Sequence, residues 1–492
     1  FLQSSYYEKE DEIVGRIKST LNKVEPEFVA KLAIYLRNEA NMRSVSHLLA
    51  GELAPKLSGK EFATRFYQKI SRRPDDMSEI LAYYFSKGNT KISNAMKRGF
   101  KAKLESMDPY LIDKYKMKNK SISLVDLVNL THPSPTQSNA EAFKRLVYGE
   151  SLDGLYSSKI FEKEMSKAGK IAKETGGNVE ELKEEAITSV LENISGMPMM
   201  NLVRNLRNII ETAPDMVDEA VKQLTNRDKV LKSRLLPFRF ASAYTEIEKL
   251  GNIKSEIQFE SDLKPSSLKD KVLKGLEKAL EYSVENIPAL EGNTAVLVDH
   301  SGSVRGDSGG TSIVSAFSKT TTAMIGNLFG AMLSWSQRDV YLGLFGDRLI
   351  PVPLDRSKGL LKFNSETFIA GAKCGGGTEN GLYIFLNECI KNKKRVDNLV
   401  IFSDMVIGSG GRGGWDNSSR AGLGTFQELF KKFKEVNPMC NTISIDMRQT
   451  SGKTVMDKSL NILQISGWSE KIFDLIDVNC KGYDALIKEI DS

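Results

Sequence analysis

Thr294-Ala-Val-Leu-Val-Asp299 runs without a break into His300-Ser301-Gly302-Ser303. A short apolar, β-branched run ending on Asp predicts a buried strand, and the residues after it predict a loop. Asp299, Ser301 and Ser303 fall at i, i+2 and i+4. At the carboxyl end of a parallel strand, this spacing turns one carboxylate and two hydroxyls toward the crevice where such sheets bind ligands. Three hard oxygen donors suit Mg²⁺ or another hard divalent cation. Further along, Cys374-Gly-Gly-Gly-Thr378 offers a Gly-rich turn with a hydroxyl at its end, and Asn398-Leu-Val-Ile-Phe-Ser-Asp404 is a second apolar run ending on Asp. Asp299, Ser301, Ser303, Thr378 and Asp404 are therefore the candidate metal ligands. A lone Asp-x-Ser-x-Ser would be explained equally well by N-capping, and a purely structural cation also satisfies the pattern.

Around this stretch, strand-like and helical runs alternate from about residue 289. Strands are expected at 295–299, 340–345, 398–404, 442–446 and 462–465. Helices are expected near 313–333, 381–391 and 425–436 and from 469 onward. Such alternation predicts a doubly wound, mostly parallel α/β sheet, with Asp299 and Asp404 both at its ligand-binding edge. Gly408-Ser-Gly-Gly-Arg-Gly-Gly-Trp-Asp-Asn reads as a loop at the rim of that edge, with Arg412 as its one basic side chain.

Upstream the texture differs. From about residue 8 to 285, apolar residues recur at three- and four-residue spacing, as in Phe28-Val29-Leu32-Ala33-Leu36 and Leu182-Ala186-Val190-Leu191. Breakers divide the runs, among them Glu25-Pro26, Ala54-Pro55, Arg73-Pro74, Asp108-Pro109 and His132-Pro133. No alternating run argues for a sheet there. Many short helices without a heptad seam predict an irregular helical-repeat array of the HEAT type, or one irregular helical domain. The chain thus divides into an all-α part, 1–288, and an α/β part, 289–492.

Bulk properties narrow the function. At 492 residues the chain can fill two cores, and no apolar run is long enough to span a membrane. The first residues lack a basic and then apolar signal pattern, so no signal peptide is expected, and Phe1 is not expected to be the native start. Four cysteines without a C-x-x-C pair, and only three histidines, argue against a zinc site and suit a reducing, cytoplasmic compartment. The net charge of +6 is unevenly spread: residues 87–120 carry ten Lys or Arg against three acidic residues, whereas the stretch from Asn286 onward is nearly balanced. Clustered cations neutralise phosphates and release counterions, so Lys97, Arg98, Lys101, Lys103, Lys114, Lys116, Lys118 and Lys120 are candidate RNA contacts, with a solvated helix face as the alternative. His132, between a helix end and Pro133, suits base stacking, a 2′-hydroxyl bond or a capping role. Tyr115 could stack on a base, whereas core packing is expected of Tyr83 and Tyr84.

The five-residue ligand set resembles the metal-ion-dependent adhesion site of von Willebrand factor A domains. A second resemblance lies upstream. Ile34-Tyr-Leu-Arg-Asn-Glu-Ala-Asn-Met-Arg-Ser-Val-Ser-His-Leu-Leu-Ala50, Arg72-Arg-Pro-Asp-Asp-Met-Ser-Glu-Ile-Leu-Ala82, Leu111-Ile-Asp-Lys-Tyr-Lys116 and Leu124-Val-Asp-Leu-Val-Asn-Leu-Thr-His-Pro-Ser134 are similar to the TROVE module. A TROVE module followed by an A domain is the layout of the Ro family, including its bacterial Ro-related members, and the resemblance spans nearly the whole chain. It implies a ring of HEAT-like repeats closed by the A domain, acting as a monomeric, non-catalytic component of a ribonucleoprotein. Such proteins bind Y RNAs on the outer surface and receive single-stranded 3′ ends of misfolded RNAs in the central hole. Bacterial members act as adaptors to an exoribonuclease such as polynucleotide phosphorylase. By motif position Lys114, Lys118 and His132 match family residues that contact Y RNA, although this chain is one residue longer between the Lys pair and His132. Position 300 is usually small or β-branched in the family loop, so His300 departs from its pattern.

Enzymatic signatures are absent. There is no P-loop and no dinucleotide fingerprint, and Asp299 stands where a Gly-x-Ser-x-Gly elbow needs its first Gly. The alternative to an RNA scaffold is a metal-dependent protein-adhesion module carried on a helical scaffold, and the two readings can coexist on the two parts.

Overall fold

The computed structural model describes residues 10–40, 42–115, 120–150, 194–250, 265–306, 320–376, 380–404, 426–447, 462–468 and 472–482, with a few isolated positions besides. The chain forms two compact units: one spans Lys9–Glu192 with the C-terminal Asp484–Ser492, and the other spans Asn193–Tyr483.

The described part of the first unit is helical. Its helices are α1 (Glu10–Leu21), α2 (Pro26–Asn38), α3 (Arg43–Leu53), α4 (Ala63–Ile70), α5 (Pro74–Ser86), α6 (Asn94–Glu105), α7 (Pro109–Lys114), α8 (Leu124–Thr131) and α9 (Ala140–Tyr148). Pro opens α2, α5 and α7, where its missing N–H costs nothing. Ser93 caps α6, and Ser123 forms a reciprocal capping box with Asp126 at the start of α8. Helices this short do not persist alone; they are held by a shared core around Tyr67 and Phe100, whose rings meet edge-on at 5.7 Å. Gly99 lets α6 approach α4 closely, since a Cβ there would stand 2.6 Å from the Thr64 carbonyl oxygen.

A buried ion cluster ties α2, α3 and α5 together. Asp76 is fully buried, and its Oδ1 accepts from Arg37 Nε at 3.0 Å, Arg43 Nε at 3.3 Å and His47 Nε2 at 3.0 Å. Its Oδ2 accepts from Arg37 Nη2 at 2.7 Å and from the backbone N–H groups of Arg72 and Arg73, both at 3.0 Å. Burial alone would raise this carboxyl, but the bonds from His47 and Arg37 hold it well below the usual carboxylate range.

The second unit begins with α10 (Met199–Thr212), α11 (Val217–Leu224), α12 (Arg227–Ser233), α13 (Pro237–Glu248) and α14 (Pro265–Ser283). A six-stranded sheet follows, made of β1 (Thr294–Asp299), β2 (Val340–Phe345), β3 (Leu349–Val352), β4 (Asn398–Ser403), β5 (Asn441–Asp446) and β6 (Ile462–Ser466). Between these lie α15 (Gly302–Arg305), α16 (Thr322–Ser336), α17 (Leu360–Gly371), α18 (Asn380–Lys391) and α19 (Phe426–Val436), and α20 (Ile472–Lys481) comes last. The strand order is β3-β2-β1-β4-β5-β6, parallel except for the antiparallel β2–β3 pair. This is the doubly wound sheet expected from the sequence. Both β1 and β4 are buried along their whole length, as parallel strands covered on two faces must be.

Three elements escaped the sequence-based expectation: the short antiparallel edge strand β3, the helix α17, and the one-turn helix α15, which stands at Gly302–Arg305 where a loop was expected. The expected helix near 313–333 is observed from Thr322, and residues 313–319 lie outside the described set, as does the Gly-rich segment with Arg412. The change of texture near residue 289 falls inside the second unit. Helix α13 docks there through Phe238, whose ring lies 5.8 Å from Phe329 of α16 and 5.5 Å from Trp468 after β6. Within the described residues no helix is long and apolar enough to cross a membrane.

Candidate functional site

The order of the sheet places β1 beside β4, with chain crossovers running to either side of them. That is the switch point at which doubly wound sheets bind ligands. Asp299 ends β1, and Asp404 follows β4 directly. Both are buried, with relative exposures of 2% and 0%. Ser403 Oγ donates to Asp299 Oδ2 at 2.6 Å, and the Ser301 N–H donates to Asp299 Oδ1 at 2.9 Å. The Ser301 and Ser303 hydroxyls lie 3.2 Å apart. The structure therefore brings Asp299, Ser301 and Ser303 together, with Asp404 close enough for its charge to act on Asp299. Thr378 lies outside the described residues.

The electrostatics of this site are unbalanced. Burial, and next the negative charge of Asp404, push the Asp299 carboxyl well above the usual carboxylate range, against the opposing hydrogen bonds from Ser403 and Ser301. Within the described residues no three His, Cys, Asp or Glu side chains cluster as a metal site, so any cation here would rely on hydroxyls beside the carboxylate pair. The donor set fits a hard divalent cation: every donor is oxygen, and two buried like charges gain from a shared counter-charge. Cys374 stands near Asp299, but burial pushes its thiol up to about 12, so it stays protonated and offers no thiolate.

His300 is 1% exposed and sits beneath the loop. Burial, and next the Arg305 guanidinium, push its imidazole down to about 4, which keeps it neutral.

The described candidate RNA contacts of the first unit lie mainly in two groups. On α6, Lys97, Arg98 and Lys101 share one side of the helix, and Lys101 reaches Glu105 at 3.7 Å. Six residues on from Lys97 is about 240° around the helix, so Lys103 points elsewhere. Its ammonium is held below its ordinary range by burial and then by Arg72. In the second group, the Lys114 ammonium lies 5.5 Å from the Tyr110 ring centre and 5.7 Å from that of Tyr115. Arg73 lies 5.0 Å from the centre of the same Tyr115 ring and donates to its hydroxyl at 3.2 Å. Arg73 also pairs with Asp75, its Nε donating to Oδ1 at 3.0 Å and its Nη2 to Oδ2 at 2.9 Å; neither Arg72 nor Arg73 was expected in this basic group from the sequence. Lys120 is exposed, and Lys116 and Lys118 lie outside the described residues. His132 takes a left-handed conformation with φ of 49°, and its N–H closes α8 on Val128 O at 2.8 Å. Its backbone thus performs the capping role, while its ring remains exposed.

Comparison with known proteins agrees with this architecture. The TROVE domain family matches residues 3–190 and 180–290. No curated protein matches the chain. The crystal structure of the Deinococcus radiodurans Ro (RSR) protein is similar over 98% of this chain and 95% of that one, with a TM-score of 0.67 and 13% sequence identity. A helical TROVE region followed by a six-stranded α/β sheet is consistent with a von Willebrand A-like domain after the helices. The chain belongs to the TROVE domain family and has the fold of a Ro protein.

Proposed function

We propose that this chain is a non-catalytic, cytoplasmic RNA-binding scaffold. It takes small structured Y-like RNAs and single-stranded 3′ ends of misfolded RNAs, and it works in RNA quality control beside an exoribonuclease such as polynucleotide phosphorylase. The observation that carries this reading is the cationic and aromatic surface of the first unit. Lys97, Arg98 and Lys101 share a face of α6, and Lys114 and Arg73 lie over Tyr110 and Tyr115. Cations neutralise phosphates, and tyrosine rings offer stacking surfaces to unpaired bases. The test is to purify the protein from its native cell and sequence the RNA that accompanies it. Small structured RNAs enriched over total RNA support the scaffold; recovery of no RNA, or of ribosomal fragments alone, refutes it.

The buried carboxylate pair favours a second role on the other unit. Asp299, Ser301, Ser303, Thr378 and Asp404 would hold Mg²⁺ or another divalent cation, and a cation keeping an open position could take a carboxylate from a partner protein. Calorimetry of the full chain should show Mg²⁺ binding that Asp299→Ala abolishes. Full affinity in the variant would remove Asp299 from the site.

A further inference from the structure

Ser303 sits on α15, a helix of four residues that is too short to hold its own shape. Its N-terminal end is fixed by the Ser301 N–H bond to Asp299 and by the Gly302 N–H bond to Gly376 O at 3.1 Å. Its C-terminal residue, Arg305, is fixed by groups from elsewhere. Arg305 Nη1 donates to His300 Nδ1 at 2.9 Å and to Phe368 O at 3.2 Å, and the guanidinium lies 4.5 Å from the Phe368 ring centre.

The protonation pattern along this chain of contacts has a single solution. The Asn327 amide nitrogen donates to Asn364 O at 2.9 Å and to Asn364 Oδ1 at 2.7 Å. Its Oδ1 must then face His300 Nε2, 3.0 Å away, so Nε2 carries the proton. Nδ1 is left as an acceptor, and the guanidinium can only donate to it. Helix α17 closes over the imidazole through Gly371, where a Cβ would stand 2.1 Å from His300 Nδ1.

We infer that His300 and Arg305 are positioning residues: together with Asn327, Phe368 and Gly371 they clamp α15 and thereby aim the Ser303 hydroxyl at the cation position beside Asp299. This rests on the reading of Asp299, Ser301 and Ser303 as cation ligands. It assigns a purpose to His300, a buried imidazole that is not itself among the proposed ligands. Groups that orient metal ligands typically affect affinity about 10- to 100-fold.

The test uses Mn²⁺ as the probe, with free ion counted by electron paramagnetic resonance in the presence of the full chain. Wild type and Asp299→Ala establish whether the site binds at all. Arg305→Ala and Arg305→Lys should both weaken Mn²⁺ by about tenfold or more. The lysine variant keeps the positive charge and loses the fork, so its loss is not electrostatic. Ser303→Ala and the double variant Arg305→Ala/Ser303→Ala complete a cycle, in which the double should be no weaker than Ser303→Ala alone. His300→Gln, which can still accept from Arg305 and donate to Asn327, should retain binding that His300→Leu loses. Gly371→Ala should reproduce the His300→Leu loss from a different helix. If wild type binds and Arg305→Ala binds as tightly or more tightly, the clamp is overturned, and losses that multiply in the double variant also overturn it. Absence of binding in wild type overturns the cation reading and the clamp with it.

Discussion

Each unit buries an aspartate completely, and the two are treated in opposite ways. Asp76 in the first unit receives six hydrogen bonds, three of them from arginine side chains, and its carboxyl is held below the usual range. Asp299 in the second unit faces another buried carboxylate, and its own carboxyl is pushed up. One buried charge is completed by the chain itself and serves the fold. The other is destabilised by burial and by the negative charge of Asp404 beside it, and under the proposed second role a bound cation would relieve that repulsion. Burial alone therefore does not set the charge state of a carboxylate; the sign of its neighbours does.

The largest expected effect breaks the first half of this contrast. Asp76→Asn leaves Arg37 buried without its charge partner and should cost about 3–5 kcal/mol of stability in urea titration. A loss under about 1 kcal/mol would show that the cluster is not what joins α2, α3 and α5. The pH dependence follows in sign. Because the folded value of Asp76 is depressed, its contribution is complete above about pH 4, the ordinary value in an unfolded chain. It is lost progressively as the pH falls from there toward the folded value. The Asn variant should lack that component of acid sensitivity.

A smaller effect, of opposite sign, sharpens the second half. Asp299→Asn removes one of two repelling charges. With a chelator present, it should unfold at or above the wild-type temperature, with a gain on the order of 1 kcal/mol. Mg²⁺ should raise the midpoint of wild type and leave that of the variant unchanged. A variant less stable than wild type in chelator would mean that the hydrogen bonds from Ser301 and Ser403 outweigh the repulsion.

Much of this was legible in the sequence. β1 and β4 are buried on both faces, so each reads as an unbroken apolar run, and the Asp after that run marks the strand end. Several helices of the first unit announce themselves through Pro at their starts, as at Pro26, Pro74 and Pro109. What stayed hidden had weak periodicity or depended on tertiary contact. Helix α17 buries Leu360, Phe363, Thr367 and Gly371, a face only half apolar, and β3 is a four-residue, partly exposed edge strand carrying Pro351. The helices between 199 and 286 have the same texture as those before them. Their membership of the second unit depends on contacts such as Phe238 with Phe329, which no local pattern encodes. The role of Arg73 beside Tyr115 was equally invisible, because 42 residues separate them. Thr378, Lys116 and Lys118 lie outside the described residues, so their assignment still rests on sequence alone.

The central claim is that the first unit presents its cations to RNA phosphates. It is tested most directly by measuring the affinity of the full chain for a structured small RNA across a range of salt concentrations. Wild type and the triple variant Lys97→Ala/Arg98→Ala/Lys101→Ala should be compared. The account predicts that wild-type affinity falls steeply with salt, and that the triple variant binds more weakly with a slope shallower by about one unit per lost phosphate contact. Affinity that does not change with salt, or a triple variant with the wild-type slope, would contradict it.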